Sequence, residues 1–308
     1  MFPSKASVAV FVIGWLSMLS LRAQPATDNR YTRDDWLRIL QDKETVDYPI
    51  VFVHGIGGGF RNWDATANLV SNGSCFRIRF QRDGTLHHDF GDSSPTTHSV
   101  WNVSYYEARP IKEAFTGNLS TYANRLREIV TVIKRLTQRD KVILICHSMG
   151  GLVGRASMII DTASWDSVHK IVTVGTPNEG VTTSIGIVGQ LADLRRGSDF
   201  LKRLNANWIE RLEQGDKRWG VVGGVDIGPN RIPTGPNAGS LTDSGGIGFI
   251  ELSSAIPFSE WKACLGSQFG QASFDTTHFG YRIAVRGRHN GLVNSAAVDR
   301  AIEWALRP

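Results

Sequence analysis

The sequence predicts an α/β fold in which helices cover both faces of a mostly parallel sheet. Short β-branched, apolar runs alternate along the chain with longer segments whose apolar residues recur at helical spacing. Several of the short runs are apolar at every position, which is typical of parallel strands that are buried on both faces. With 41% hydrophobic residues among 308, the chain can also bury a substantial core.

The individual elements follow from these two patterns. Strands are expected at residues 49–54, 75–80, 100–106, 142–146, 170–175, 219–225 and 281–285. Helices are expected at residues 63–70, 119–136, 150–161, 200–213 and 295–306. The alternation predicts a single α/β domain over residues 24–308, preceded by a separate entry segment.

A long segment before the last strand breaks the alternation. Residues 226–278 are rich in Gly, Pro and Ser, and inserts of this length in a domain are usually functional. A glycine-rich part, 235–248, precedes an apolar part, 249–258, so the insert is a candidate lid over a site. A rigid loop or an extra hairpin fits the same pattern.

Residues 1–23 have the order of a secretory signal peptide. Lys5 precedes an apolar stretch, residues 6–21, and Leu21-Arg22-Ala23 then stands ahead of Gln24. We expect cleavage near Gln24 and a secreted protein, extracellular or periplasmic, with no membrane span in the mature chain. An oxidising compartment permits a disulfide, and Cys75 with Cys264 is the pair to expect because Cys146 lies in a buried strand.

The charged residues point to no nucleic acid, metal or cofactor. The net charge is +5, and the cations are scattered rather than gathered in a stripe with aromatic residues between them. His87, His88, Asp89, Asp92 and His98 share one polar loop, but their spacing matches no zinc motif and a solvated loop explains them equally well.

The candidate nucleophile is Ser148. It stands in the segment Cys-His-Ser-Met-Gly-Gly (146–151), directly between an expected strand and an expected helix. This is the context of the G-x-S-x-G nucleophile elbow, in which a sharp turn lifts the serine Oγ clear of the sheet. Cys146 replaces the first glycine of that motif, and its small thiol makes the departure tolerable.

A glycine-rich loop after the first strand is the candidate oxyanion hole. The segment His-Gly-Ile-Gly-Gly-Gly (54–59) lets the backbone curl so that the amide of Ile56 points at a bound ester, and the amide of Met149 supplies a second donor. A dinucleotide-binding loop is the competing interpretation. It is dropped because Phe60 stands where the last glycine of that motif is required.

His289 is the candidate general base. It follows the last expected strand and precedes the last helix, and the carboxyl ends of parallel strands are where such sheets present functional groups. His54 and His147 belong to the two motifs above and are expected to be packing partners, which leaves His278 as the rival.

Four segments together resemble the α/β-hydrolase lipases and esterases. They are His-Gly-Ile-Gly-Gly (54–58), Cys-His-Ser-Met-Gly-Gly (146–151), Gly-Thr-Pro-Asn-Glu-Gly (175–180) and His-Asn-Gly-Leu-Val (289–293). The likeness is to secreted bacterial triacylglycerol lipases and, more loosely, to the lipase-like domain of GPI inositol-deacylases. It implies the α/β-hydrolase fold, Ser148 as nucleophile, His289 as base, and Ile56 with Met149 as oxyanion donors.

The catalytic acid must then lie between Ser148 and His289, on a loop after a strand. Asp226 meets this requirement because it directly follows the strand at 219–225, whereas Asp243 and Asp275 lie inside the irregular insert. Many lipases carry an aspartate in an Asp-Gly-Leu-Val motif near their end, but this chain has Asn290 there. Asp226 is therefore the predicted acid.

These residues predict a secreted carboxylic ester hydrolase, a lipase or esterase that works through an acyl-enzyme without a cofactor. Its expected partner is a lipid or small ester substrate, met by interfacial contact without a membrane span. The alternatives are a non-catalytic binding module with the same fold, or an acyltransferase or amidase that uses the same residues.

Overall fold

The computed structural model describes residues 29–89, 99–107, 113, 117–182, 189–244 and 250–308. Within these residues the strands are β1 (Ile50–Val53), β2 (Cys75–Phe80), β3 (Leu86–Asp89), β4 (Val100–Ser104), β5 (Val142–His147), β6 (Val168–Val174), β7 (Trp219–Val225), β8 (Ser273–Phe274) and β9 (Tyr281–Arg286). The α-helices are α1 (Arg33–Gln41), α2 (Asp64–Val70), α3 (Leu119–Thr137), α4 (Met149–Met158), α5 (Thr162–Asp166), α6 (Gln190–Asp193), α7 (Asp199–Glu213), α8 (Leu252–Ala255) and α9 (Ala296–Ala305).

The strands form one sheet in the order β3-β2-β4-β1-β5-β6-β7-β9-β8. The neighbours from β2 to β9 pair in parallel, and the edge strands β3 and β8 pair antiparallel to β2 and β9. The expected mostly parallel sheet is confirmed. Its centre is β5, which ends at the candidate nucleophile.

Two apolar layers enclose the sheet. In β1, Val51 and Val53 pack into the layer that contains residues of α3, α4 and α7, whereas Ile50 and Phe52 pack into the layer that contains residues of α1 and α9. All four side chains are fully buried. Successive side chains of a strand point to opposite faces, so covering both faces requires the unbroken apolar run that the sequence shows.

Every expected strand and helix is present with small shifts at its ends. The elements not foreseen are short or polar: β3, for example, lies at an edge in what the sequence presents as a polar loop, and its residues from His87 onward are exposed. Helix α1 is amphipathic and begins at a capping box of Thr32 and Asp35, a signal that was available in the sequence. Of the five residues considered for a metal, His87, His88 and Asp89 lie on β3, and Asp92 and His98 fall outside the described residues.

The expected disulfide between Cys75 and Cys264 is wrong, because all three cysteines are free. Cys75 begins β2 near one edge of the sheet, whereas Cys264 lies in a 3-10 turn that contacts β9, six places along the strand order. At roughly 4.8 Å per strand, that separation is about 29 Å, far beyond the Cα distance of roughly 7 Å that a disulfide can bridge.

Residues of the insert pack against the sheet over much of the described part of 226–278. Its buried apolar side chains include Leu252, Ile256 and Trp261, and its polypeptide forms three 3-10 turns, α8 and β8. Part of the proposed lid, residues 245–249, falls outside the described residues. Residues 1–23 fall outside them too, and no helix among the described residues has the length and apolarity needed to cross a membrane.

Candidate active site

Ser148 occupies a strained turn between β5 and α4. Its φ of 55° and ψ of −130° lie outside the regions that most residues adopt, as the nucleophile elbow requires. The turn is tight: a Cβ on Gly150 would lie 2.3 Å from the carbonyl oxygen of His54. Cys146 fits at the first position of the motif because Gly154 leaves room for its Sγ, which a Cβ there would approach to 2.9 Å. The structure therefore has the strand, turn and helix in the predicted order.

His289 lies between Ser148 and an aspartate. Its Nε2 is 2.8 Å from Ser148 Oγ, and its Nδ1 is 2.6 Å from Asp243 Oδ2. All three residues are buried, with 5%, 7% and 1% of the surface of Ser148, His289 and Asp243 exposed. A hydroxyl, an imidazole and a carboxylate in this sequence of contacts can activate the hydroxyl as a nucleophile.

The predicted partner of His289, Asp226, is wrong. Asp226 accepts a hydrogen bond from the Ser244 hydroxyl, and its Oδ2 lies 3.3 Å from Arg288 Nε. Its side chain is about one third exposed. The reason is the path of the insert: the Asp226 amide donates to the carbonyl of Thr242, so the chain returns to the end of β7 and places the next residue, Asp243, at the imidazole.

Backbone groups and glycines fix Asp243 in this position. The amide of Ile250 donates to Asp243 Oδ1 at 3.1 Å, and the amide of His289 donates to the Asp243 carbonyl at 2.7 Å. Gly175, with a φ of +54°, lies so close that a Cβ there would be 3.2 Å from both Asp243 Oδ2 and His289 Nδ1. The only pointer to Asp243 in the sequence was its place between Ser148 and His289, which it shares with other acids.

His147 supports the loop that carries His289. Its Nε2–H donates to the His289 carbonyl at 3.1 Å, and the two rings lie 4.6 Å apart. Burial, together with the neighbouring His289, lowers the pKa of His147 to about 3. The ring is therefore neutral, and its buried Nδ1 has no hydrogen-bond partner among the described residues.

The glycine-rich loop lies against the nucleophile. A Cβ on Gly55 would be 2.8 Å from Ser148 Cβ, so Gly55, whose carbonyl carbon bears the Ile56 amide, packs against the serine. His54 stabilises this loop, because its Nδ1–H donates to the Gly55 carbonyl at 2.8 Å and its ring stacks on Tyr105. Burial lowers the pKa of His54 to about 4. Tyr106 accepts a hydrogen bond from the amide of Gly57 at 3.4 Å.

Ile56 follows Gly55 in this loop and Met149 follows Ser148, and the role of their amides as oxyanion donors stays a prediction. Met149 is the first residue of α4, whose ten residues direct the positive end of their dipole at the serine. Within the part of the chain that the structure describes, neither amide donates to an acceptor. Among those residues there is also no group of three or more His, Cys, Asp or Glu that could hold a metal ion.

Comparisons with known proteins show which family and fold this chain is similar to. The model of the family described as PGAP1-like alpha/beta domain matches residues 44–237. GPI inositol-deacylase B from Yarrowia lipolytica is 26% identical over 140 residues, and GPI inositol-deacylase from Drosophila melanogaster is 23% identical over 133 residues. Each match covers 42% of this chain but 13% and 12% of the relatives, so it spans about an eighth of their length.

A solved structure from Listeria innocua, the product of gene lin2722, has a TM-score of 0.54 to this chain at 12% identity. It covers 84% of this chain and is itself covered to 94%, which supports a shared fold. The expected α/β-hydrolase fold is confirmed. Of the two likenesses that the sequence suggested, the looser one, to GPI inositol-deacylases, is the one to which both relatives belong by name.

Proposed function

Because the chain belongs to the PGAP1-like alpha/beta domain family, we propose that it is a serine hydrolase that cleaves a carboxylic ester of a lipid. The observation that carries the proposal is the position of His289, 2.8 Å from Ser148 Oγ on one side and 2.6 Å from Asp243 Oδ2 on the other. A buried serine rarely has both neighbours without using them as a base and an orienting acid.

In the first half of the proposed reaction, Ser148 Oγ attacks the ester carbonyl while His289 Nε2 takes the hydroxyl proton. The imidazolium that forms is stabilised by the Asp243 side chain, which the amide of Ile250 holds in place. Charge develops on the carbonyl oxygen, which the amides of Ile56 and Met149 then receive. His289 returns the proton to the leaving alcohol, and an acyl group remains on Ser148.

Water completes the cycle. His289 takes a proton from the water as the oxygen attacks the acyl carbonyl, and it passes that proton to Ser148 Oγ as the ester bond to the enzyme breaks. The products are a carboxylic acid and the regenerated serine. The neutral state of His147 matters here, because a second cation packed 4.6 Å from the imidazolium of His289 would oppose its formation.

The names of the two relatives suggest an acyl ester as the bond to test. Both are called GPI inositol-deacylases, which describes removal of an acyl group from inositol. We extend the acyl-ester chemistry to this chain and leave the alcohol to experiment.

The decisive experiment pairs active-site labelling with ester hydrolysis. A fluorophosphonate probe should label Ser148, and turnover of p-nitrophenyl esters from short to long chains should fall at least about 10³-fold in Ser148→Ala. Ser157→Ala is the matched control, since Ser157 is on α4 and is also 5% exposed, with its hydroxyl bonded to the Gly154 carbonyl. A folded protein that the probe does not label would favour the non-catalytic binding module.

We also propose that the protein is exported, on the strength of the pattern in residues 1–23 alone. Expression of the whole chain in a secreting host should yield a mature protein that begins near Gln24. Mass spectrometry of the purified protein would show an intact Met1 end if export with cleavage were wrong.

A further inference from the structure

Three exposed arginines and one exposed isoleucine lie beside the candidate active site, and we call them the cationic rim: Arg231, Ile232, Arg286 and Arg288. Arg286 is the last residue of β9, and its guanidinium donates to the Arg231 carbonyl at 3.0 Å. Ile232 follows Arg231 and, with 56% of its surface exposed, is the most exposed large apolar side chain among the described residues.

Short contacts join the cationic rim to the site. Arg288 immediately precedes His289 and has 78% of its side chain exposed. Its partner Asp226 accepts a hydrogen bond from Ser244, the neighbour of Asp243. The rim therefore lies at the carboxyl end of the sheet, on the same side as Ser148 and around the ends of β7 and β9.

The charge of the rim is only partly balanced. Asp226, 3.3 Å from Arg288, is the one carboxylate that the structure places in contact with these arginines within the described residues. Arg286 donates to a carbonyl, and Arg231 forms no ion pair with any described residue. The neighbouring residues Gly228, Pro229, Asn230, Asn290 and Gly291 carry no charge. An excess of positive charge therefore remains in water next to the site.

We propose that the cationic rim docks the protein onto an anionic lipid surface. Exposed arginines attract acidic headgroups, and an exposed aliphatic side chain next to Arg231 can enter the boundary between headgroups and acyl chains. A nucleic acid is a poorer match, because the rim has no aromatic side chain on which a base could stack. Docking requires no hydrolysis. Its value for reaching a lipid ester rests on the proposed function.

Binding to vesicles tests the proposal directly. Ser148→Ala protein should sediment with vesicles that contain phosphatidylglycerol and much less with pure phosphatidylcholine, and added salt should weaken binding. Replacing Arg231, Arg286 and Arg288 by glutamine in that protein should lower the partition coefficient roughly 100-fold, since each arginine contributes about a factor of five. Ile232→Ser should weaken binding to a smaller degree.

The matched control removes three exposed cations elsewhere, by Arg135→Gln, Lys202→Gln and Arg203→Gln on α3 and α7. It has the same net charge as the rim variant and should keep most of the binding. Equal loss in both variants would show that net charge alone acts, and the proposal would be wrong. A second outcome would also overturn the proposal. If inorganic phosphate displaced the protein from vesicles more than sodium chloride of equal ionic strength does, the rim would be a site for a soluble phosphate.

Activity separates this proposal from the proposed function. With Ser148 present, the rim variant should hydrolyse a short, soluble p-nitrophenyl ester at the wild-type rate and lose activity only on esters in anionic vesicles. Vesicle binding without hydrolysis of any ester would leave docking in place and remove the proposed function. Hydrolysis of esters without vesicle binding that depends on the rim would support the proposed function and show that the docking proposal is wrong.

Discussion

Ser148 and Asp243 approach His289 from two regions that are built differently. The nucleophile side is continuous in sequence: β5, the turn at Ser148 and α4 follow one another, and β5 lies in the middle of the sheet. The acid side is the insert, in which no strand leads directly into Asp243. Its position depends on the Ile250 amide and on a β-bridge between Thr242 and Glu251. The serine is therefore placed by local chain geometry, and the acid by tertiary docking.

A buried cation connects the two regions. The guanidinium of Arg155, on α4, lies over the rings of both Trp208 and Trp219, and burial lowers its pKa to about 9. Its guanidinium donates to Asn178 at 3.0 Å, and Asn178 in turn donates to the Ala255 carbonyl of α8 at 3.0 Å. The helix of the nucleophile thus holds the insert of the acid through one asparagine.

Replacing each aspartate in turn gives the largest expected difference between candidate acids. Asp243→Asn should lower kcat about 10⁴-fold, because an amide favours the wrong tautomer of His289. Asp226→Asn should change kcat less than about threefold, in line with a surface ion pair. Turnover of a soluble ester, measured on protein with unchanged circular dichroism, decides between them. Loss at Asp226 alone would contradict the geometry.

On the nucleophile side, two glycines of one loop form a matched pair. A Cβ at Gly55 would be 2.8 Å from Ser148 Cβ, whereas a Cβ at Gly59 would meet no atom within 4 Å. Gly55→Ala should displace the Ile56 amide and lower kcat about 100-fold, the scale of losing one oxyanion donor. Gly59→Ala should leave kcat within about twofold, because surface changes of this kind are near neutral. Equal kinetics in both variants would remove Ile56 from the oxyanion hole.

The link through Asn178 should be worth less. Asn178→Leu removes both the acceptor for Arg155 and the donor to Ala255, so a small displacement of the insert should lower kcat about tenfold. Asn205→Leu is the control, because Asn205 also accepts from Arg155, at 2.8 Å, and donates to Asn178 rather than to α8. We expect the two variants to lose similar amounts of unfolding free energy, and Asn178→Leu to lose more kcat than Asn205→Leu. Equal kcat values would show that Arg155 stabilises the core without positioning the acid.

The same difference between the regions explains what the sequence could predict. The order strand, serine, helix is determined by neighbouring residues, so periodicity and the small residues of the turn located Ser148. Asp226 was preferred because it directly follows β7, a local criterion. The return of the chain at Thr242, which places Asp243 instead, depends on backbone contacts between distant segments. Such contacts leave no period in the sequence.

The disulfide prediction was wrong for the same reason. The expected pair was inferred from compartment and burial, whereas a disulfide depends on a distance that only the strand order determines. Helices and strands of the core were found because an apolar face must be covered wherever it occurs. Edge strands such as β3 carry no such face and gave no signal.

Acid stability should also distinguish the two sides, with the smallest effect. Burial lowers the pKa values of His54 and His147, on the nucleophile side, to about 4 and about 3. In the unfolded chain both histidines have a pKa of about 6.5 and bind protons below that pH, whereas in the folded protein they stay neutral. The free energy of unfolding therefore falls as the pH drops from about 6.5 towards 4. In the insert, burial raises the pKa of Glu260, but hydrogen bonds from Thr276 and His278 outweigh it and lower the value. Glu260 therefore contributes stability above the ordinary glutamate pKa, and that contribution is lost as the pH falls from there through the lowered pKa.

His147→Gln tests this assignment because the glutamine amide can still donate to the His289 carbonyl but does not titrate. Between pH 6 and 5, the free energy of unfolding should fall less steeply by about 1.4 kcal/mol per pH unit, the slope of one proton. Activity at neutral pH should largely remain, whereas His147→Phe should lose activity because phenylalanine cannot donate the hydrogen bond.

The control is His169→Asn. His169 lies on β6, outside the candidate active site, and burial lowers its pKa to about 4, so this variant should also reduce the pH dependence of the unfolding free energy but leave activity unchanged. An unchanged slope in His147→Gln, measured by urea denaturation across this pH range, would show that the folded protein binds a proton at His147 as readily as the unfolded chain does, and the lowered pKa of His147 would be wrong.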